Sequence, residues 1–222
     1  MPTAGCSHAP IFGFKKARNA FVATNYRNRI RAIALERGVQ YLGHFTQLTN
    51  LPGIVNHGLK SRLQLVADQH AAYVSAEDRL DEKYGAISVS VSRVSEALFR
   101  LKRHASGHSD WVVLVLSSAI LWERDCLFCW TNAATKEIKD CRGFRGGPWA
   151  FGEMFAGSDA ERGGMAASWP TDPEAEVQVL ESIAPTYIVS AIVGGQKWVE
   201  PVQDLLNAIP GPQRTVEVHP FD

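Results

Sequence analysis

The sequence predicts an α+β domain of about six strands with helices at its periphery, not a regular βαβ series. Three observations carry that prediction. Ala86–Val91 (AISVSV) and Ala175–Leu180 alternate with the period of a strand. Trp111–Leu116 (WVVLVL) is apolar throughout, as a strand covered on both faces is. The helical periodicities fall unevenly between these segments, so strand and helix do not alternate one for one.

The chain opens on six basic residues (Lys15, Lys16, Arg18, Arg27, Arg29 and Arg31) before its first carboxylate, Glu36. Ile30, Ile33, Ala34 and Arg37 have helical spacing, and Gly38 stands where a C-cap glycine belongs. A basic helix is therefore expected over about Asn25–Arg37, within an N-terminal helical extension of residues 1–38. Its charged side is either a solvated face or a contact for a polyanion. Gln40–Thr46 is a short strand. Asn50, just ahead of Leu51-Pro52, marks the start of a short helix that Gly58 ends. Gln64–Tyr84 is polar without a clear period and is expected to be a loop with a helical turn.

Beyond the strand at Ala86–Val91, the residues Val94, Ala97, Leu98 and Leu101 share one helical face, and Arg100, Lys102 and Arg103 the other. The glycine-rich Gly143–Gly164 lies within residues 130–170, expected to form a long loop and a candidate substrate loop. Tyr187–Val193 is a buried strand, Gln196–Ala208 an amphipathic helix and Thr215–His219 a last edge strand. A length of 222 residues suits one domain spanning the chain.

Composition excludes several classes. With 23 Lys+Arg against 23 Asp+Glu, the chain is not held to nucleic acid by bulk charge. Met1–Pro10 has no basic segment followed by an apolar one, so no signal peptide is read there. The most apolar run, Trp111–Trp122, falls well short of the ~20 residues of a membrane span. Four cysteines (Cys6, Cys126, Cys129 and Cys141) without an export signal are expected as free thiols in a reducing cytoplasm. Cys126-x-x-Cys129 lacks the second ligand pair of a zinc site, and no metal is expected. Nucleotide-loop and hydrolase signatures (GxGxxG after a strand, GxxxxGK[ST], HExxH, GxSxG) are absent.

The informative segment is EAEVQVLES. Period 2 puts Glu174, Glu176 and Gln178 on one face and Ala175, Val177 and Val179 on the core face, just after the turn Thr171-Asp172-Pro173. Two carboxylates on one strand face mark either a site at a strand mouth or a plain exposed edge. His44-Phe45-Thr46 closes one earlier strand and Ser88-Val89-Ser90 lies on another. A His-x-Thr strand, a Ser-x-Ser strand and a Glu strand in that order resemble the three-part arrangement of ADP-ribosyltransferases.

Four stretches make the resemblance specific: YLGHFTQLTNLPGIVNHGLKSR, DRLDEKYGAISVSVSRVSEALF, WVVLVLSSAILWERDCLFCWTNAA and PTDPEAEVQVLESIAPTYI, in order from Tyr41 to Ile188. They are similar to the DarT-type toxins, DNA ADP-ribosyltransferases paired with macrodomain antitoxins of the DarG type. The resemblance implies an ADP-ribosyltransferase fold with a central mixed sheet, NAD+ as co-substrate, and a base in single-stranded DNA as acceptor, thymidine favoured over guanosine. It implies Glu176 as the catalytic carboxylate, while the compartment signals above lead to the expectation of a soluble cytoplasmic protein, taken as a monomer. His44, Phe45, Thr46, Asn50 and Ser88 would contact the cofactor. Arg79 would bind the cofactor and activate the acceptor base electrostatically, unless it only pairs with Asp78 or Asp81 in a surface loop. Arg142, Arg145, Trp149, Arg100 and Lys102 combine charge with an aromatic and are the candidate DNA contacts.

Two residues depart from the family pattern. Gln47 stands where relatives often carry His, and Glu174 where Gln is common. Glu-x-Glu also marks transferases that modify arginine on proteins, so a protein acceptor is the rival expectation. An inactive NAD- or nucleic-acid-binding module is the rival from outside the enzymes.

Overall fold

A computed structural model describes residues 12–72 and 85–221 of the chain. Its centre is a seven-stranded sheet in the order β4-β5-β2-β1-β3-β6-β7. The strands are β1 (Tyr41–Gln47), β2 (Ile87–Val91), β3 (Trp111–Ser117), β4 (Cys126–Cys129), β5 (Glu176–Val179), β6 (Ile188–Val193) and β7 (Thr215–Val218). Neighbours are antiparallel except β6 and β7, so the sheet is mixed, as expected. The strand that sequence reading missed is β4: its four residues CLFC are too few to show a period.

Helix α1 spans Phe12–Arg37, longer than the expected segment, and Gly38 ends it at φ +72°. Ile30 and Ala34 are buried in the main core, so α1 packs on the domain rather than projecting from it. Short helices α2 (Leu51–His57) and α3 (Arg62–Ala67) follow β1. Ser61 and Gln64 form a reciprocal capping box that sets the start of α3. Helix α4 (Glu96–Ser106) starts on the Ser95 hydroxyl and stops at Gly107 in the left-handed region. Of its expected apolar face, Leu101 is 62% exposed and Phe99 is the buried anchor instead. Phe99 packs with Phe45 and Trp111 in a satellite cluster on one side of the sheet.

Residues 130–170 are not one open loop. They hold α6 (Lys136–Lys139), α7 (Pro148–Glu153) and α8 (Asp159–Arg162), each a turn or two long and so too short to show a period. Phe151, Met154 and Phe155 of this region are at most 2% exposed and join the main core. Two further helices, α5 (Ile120–Glu123) and α9 (Val199–Asn207), cover the sheet near β3 and β6–β7. Among the described residues no helix is long and apolar enough to cross a membrane.

Gly58 sits at φ +80°, where a Cβ would lie 2.4 Å from the Ile183 carbonyl oxygen. The adjoining Leu59 bridges to Ile183 and ties the α2–α3 turn to the segment after β5. Gly58→Ala combines left-handed strain with a backbone clash and is expected to cost about 2–3 kcal/mol, read as a lower urea midpoint. Cys126 is buried beside the Ile120 carbonyl; burial, with the Asp125 and Glu181 carboxylates, pushes its thiol up to about 12. Because the thiolate is the reactive form, native Cys126 is expected to resist iodoacetamide at pH 8 while half-buried Cys141 reacts, with unfolding exposing both to peptide mapping.

Candidate active site

The site begins where β1 and β2 part. β1 pairs with β3 along all seven residues, but with β2 only at Leu42–Val91 and Gly43–Ser90. Past Gly43 the strands diverge, and His44 fills the gap by donating from Nδ1 to the Ser88 carbonyl at 2.9 Å. A carbonyl only accepts, so this contact places a proton on Nδ1. The divergence opens a cleft of about 920 Å³ walled by β1, β2, α2, the turn before α3, α4, the residues that follow β4 and those at the entry to β5.

Gly43 allows the segment leading into α4 to close one side, since a Cβ there would meet Val94 Cγ2 at 2.6 Å. Val94 packs with Phe45, Phe99 and Trp111, so Phe45 supports this wall by stacking within it. Thr46 accepts from Asn50 Nδ2 at 2.9 Å. Asn50 holds the N-cap position of α2 but makes no side-chain cap; its amide is turned to Thr46 in the cleft. His44, Phe45, Thr46, Asn50 and Ser88 are thus brought together in one cleft.

Glu176 enters from the neighbouring strand. Register pairs it with Ser90 on β2 and with Cys129 on β4, which sets the three side chains on one sheet face. Its Oε1 accepts from the Ala133 amide at 3.0 Å, and it is half-buried at the cleft wall. Glu174 lies in the turn before β5 rather than in the strand, and its Oε2 accepts from Asn132 Nδ2 at 3.0 Å. Asn132 Oδ1 in turn accepts from the Ala134 amide, so one side chain braces both loop and carboxylate. Gln178 shares the Glu176 face but is wholly buried.

Sequence reading missed Asn132 and Lys60. Asn132 carries no local signal of its contact, which depends on where residues 130–134 cross the sheet. Lys60 Nζ donates to Asp68 Oδ2 at 2.7 Å and lies 3.2 Å from His70 Nδ1, and the His70 ring stacks on His57 at 4.3 Å. The Lys60 hydrogen bond holds the Asp68 carboxyl below the usual carboxylate range. Lys60, Arg62 and Lys102 therefore bring positive charge into the cleft that Glu174 and Glu176 bound with negative charge.

The expected DNA contacts fall in three places. Lys102 lines the cleft, whereas Arg100, two residues away on α4 and so about 200° round the helix, is exposed outside it. Arg142, Arg145 and Trp149 lie beyond the edge strand β4, where the Phe128 amide donates to the Arg145 carbonyl. Arg79 lies outside the described residues. Among the described residues no group of three His, Cys, Asp or Glu side chains gathers as a metal site.

No curated protein sequence matches the chain. Solved structures share its fold. Thermus sp. 2.9 DarT in complex with NAD+ superposes with a TM-score of 0.56 at 16% identity, over 81% of this chain and 95% of that one. Thermus sp. 2.9 DarT in complex with ADP-ribosylated ssDNA gives 0.54 at 15% identity over the same shares. Thermosipho africanus DarTG in complex with ADP-ribose gives 0.51 at 14% identity, over 82% of this chain and 50% of that one, so the chain spans about half its length. The family model described as ssDNA thymidine ADP-ribosyltransferase, DarT, matches residues 43–222, from the glycine where the cleft opens onward, and the chain belongs to that family.

Proposed function

We propose that the cleft holds NAD+ and that the chain transfers ADP-ribose from it to a thymine in single-stranded DNA. The observation that carries this is the placement of Glu176 on one sheet face with Ser90, at the wall of a cleft that also contains His44, Thr46 and Asn50. In the transfer, the bond from ribose C1′ to nicotinamide breaks, its electron pair leaving with nicotinamide. A bond from C1′ to a thymine ring nitrogen forms, and that nitrogen's proton is lost.

Positive charge builds on the ribose between those events. A carboxylate fixed by the Ala133 amide faces that charge without having to reorganise, so it favours the transition state over the bound substrate. His44 and Ser88 hold the β1–β2 gap in shape while Thr46 and Asn50 supply polar groups to the cofactor. Arg79 is assigned the electrostatic activation of the acceptor base, because a guanidinium stays charged and favours the deprotonated ring nitrogen. Arg142, Arg145 and Trp149 are assigned to the acceptor strand, with Lys102 serving the cleft and Arg100 at most a peripheral phosphate. The chain acts as the toxin of a pair, a monomer in the cytoplasm, neutralised by a macrodomain partner that removes the mark.

Glu176→Gln keeps the shape and the Ala133 contact but removes the charge. Transfer of labelled ADP-ribose to a thymine-containing oligonucleotide is expected to fall at least about 100-fold with an unchanged thermal midpoint. Transfer at the parent's rate would reject Glu176 as the catalytic group. Label appearing on protein alone, with none on the oligonucleotide, would move the acceptor to arginine side chains.

A further inference from the structure

Consecutive residues after β4 are tied to the two carboxylates at the entry to β5. Asn132 Nδ2 donates to Glu174 Oε2 at 3.0 Å, and the next residue, Ala133, donates its amide to Glu176 Oε1 at 3.0 Å. Asn132 Oδ1 accepts from the Ala134 amide at 2.9 Å, an Asx turn that fixes the direction of the Ala133 peptide between them. The Asn132 carbonyl accepts from the Thr135 amide and hydroxyl, at 3.0 and 2.8 Å. Beneath the turn, Ala133 is buried with Cys129 and Ile138. Packing therefore anchors the apolar side of the turn, and one amide side chain anchors its polar side.

Glu174 is held from two directions. Its backbone amide donates to Asp172 Oδ1 at 2.7 Å, and its carboxylate meets Asn132. An amide side chain can donate to a carboxylate with its nitrogen while its oxygen accepts from a backbone N–H; a carboxylate can only accept. Asn132→Asp keeps the size and the acceptor that closes the turn. It loses the donor and sets two carboxylates against each other.

We infer that Asn132 is the positioning residue of the Glu174-x-Glu176 pair. It ties the turn after β4 to the entry of β5, so that the Ala133 amide stays aimed at the Glu176 carboxylate. It acts through Glu174 and the Ala133 peptide, not on the substrate. This rests on the catalytic role proposed for Glu176 and adds how that group is aimed. It also gives a use to Glu174, which departs from the Gln common in the family: a carboxylate takes the Asn132 amide in a charge-assisted hydrogen bond.

The test is a double-mutant cycle on Asn132→Asp and Glu174→Gln. Together the two substitutions reverse donor and acceptor in the same hydrogen bond at unchanged net charge. Two readouts are taken: nicotinamide release from NAD+ with a thymine-containing oligonucleotide, and the NMR shift of the Ala133 amide proton, which a carboxylate acceptor moves downfield. Asn132→Asp alone is expected to lower kcat about 30-fold, to change KM for NAD+ by less than about 3-fold, and to move the Ala133 proton upfield. With Glu174→Gln already present, the same substitution is expected to cost less than about 3-fold, and the proton to return towards its parental position. No loss, or an equal loss in both backgrounds, would overturn the assignment, as would a loss confined to KM or an Ala133 proton that does not move. Failure of the catalytic role of Glu176 looks different: the Ala133 proton shifts and returns as expected, but Glu176→Gln releases nicotinamide as fast as the parent.

Discussion

The structure depends on how two central strands come apart. β1 and β2 share two residue pairs and then separate, which in a sheet interior leaves backbone groups without their ladder partners. His44 resolves this by giving its Nδ1 proton to the Ser88 carbonyl, so a side chain stands in for the missing strand contact. The same substitution keeps the gap open and puts an imidazole at its edge. Were the ladder to continue, there would be a flat sheet and no cleft.

From that opening, register fixes the remaining chemistry. Because β5 lies between β2 and β4, one position on it brings Glu176 beside Ser90 on one hand and Cys129 on the other. A slip of one residue would turn Glu176 to the opposite face and Val177 into the cleft. The buried run Val177 and Val179 opposes that slip, since apolar burial holds the carboxylate face outward into the site. Core packing and the placement of the Glu176 carboxylate thus depend on the same register.

The zero net charge hides a polarised molecule. Basic residues crowd the chain before Glu36, whereas Asp159–Glu181 is rich in acids. Folding then refines this division, bringing Lys60, Arg62 and Lys102 into the same cleft as Glu174 and Glu176. Arg214 shows the opposite use of charge. It is 4% exposed and donates to the carbonyls of Ile188, Ile209, Pro210 and Pro212, knotting the β7 connection with a guanidinium satisfied by backbone alone. Nothing in its neighbours distinguishes it from a surface arginine.

What the sequence determined by itself was local and periodic. Strict alternation located β2 and β5, the apolar run located β3, and Gly38 and Gly58 stood where helices stop. The His-x-Thr, Ser-x-Ser and Glu segments were picked out by their resemblance to the ADP-ribosyltransferase arrangement, and strand period assigned the residues of each a face. Only the tertiary structure decided which faces meet. β4, α7 and α8 were too short to show a period, and Asn132 reached Glu174 across 42 residues of chain. Gln178 looked equivalent to Glu176 and is wholly buried, since neighbouring strands and loops decide which end of a polar face stays open. Contacts distant in sequence are set by how elements pack, and a period records only the side on which each element must pack.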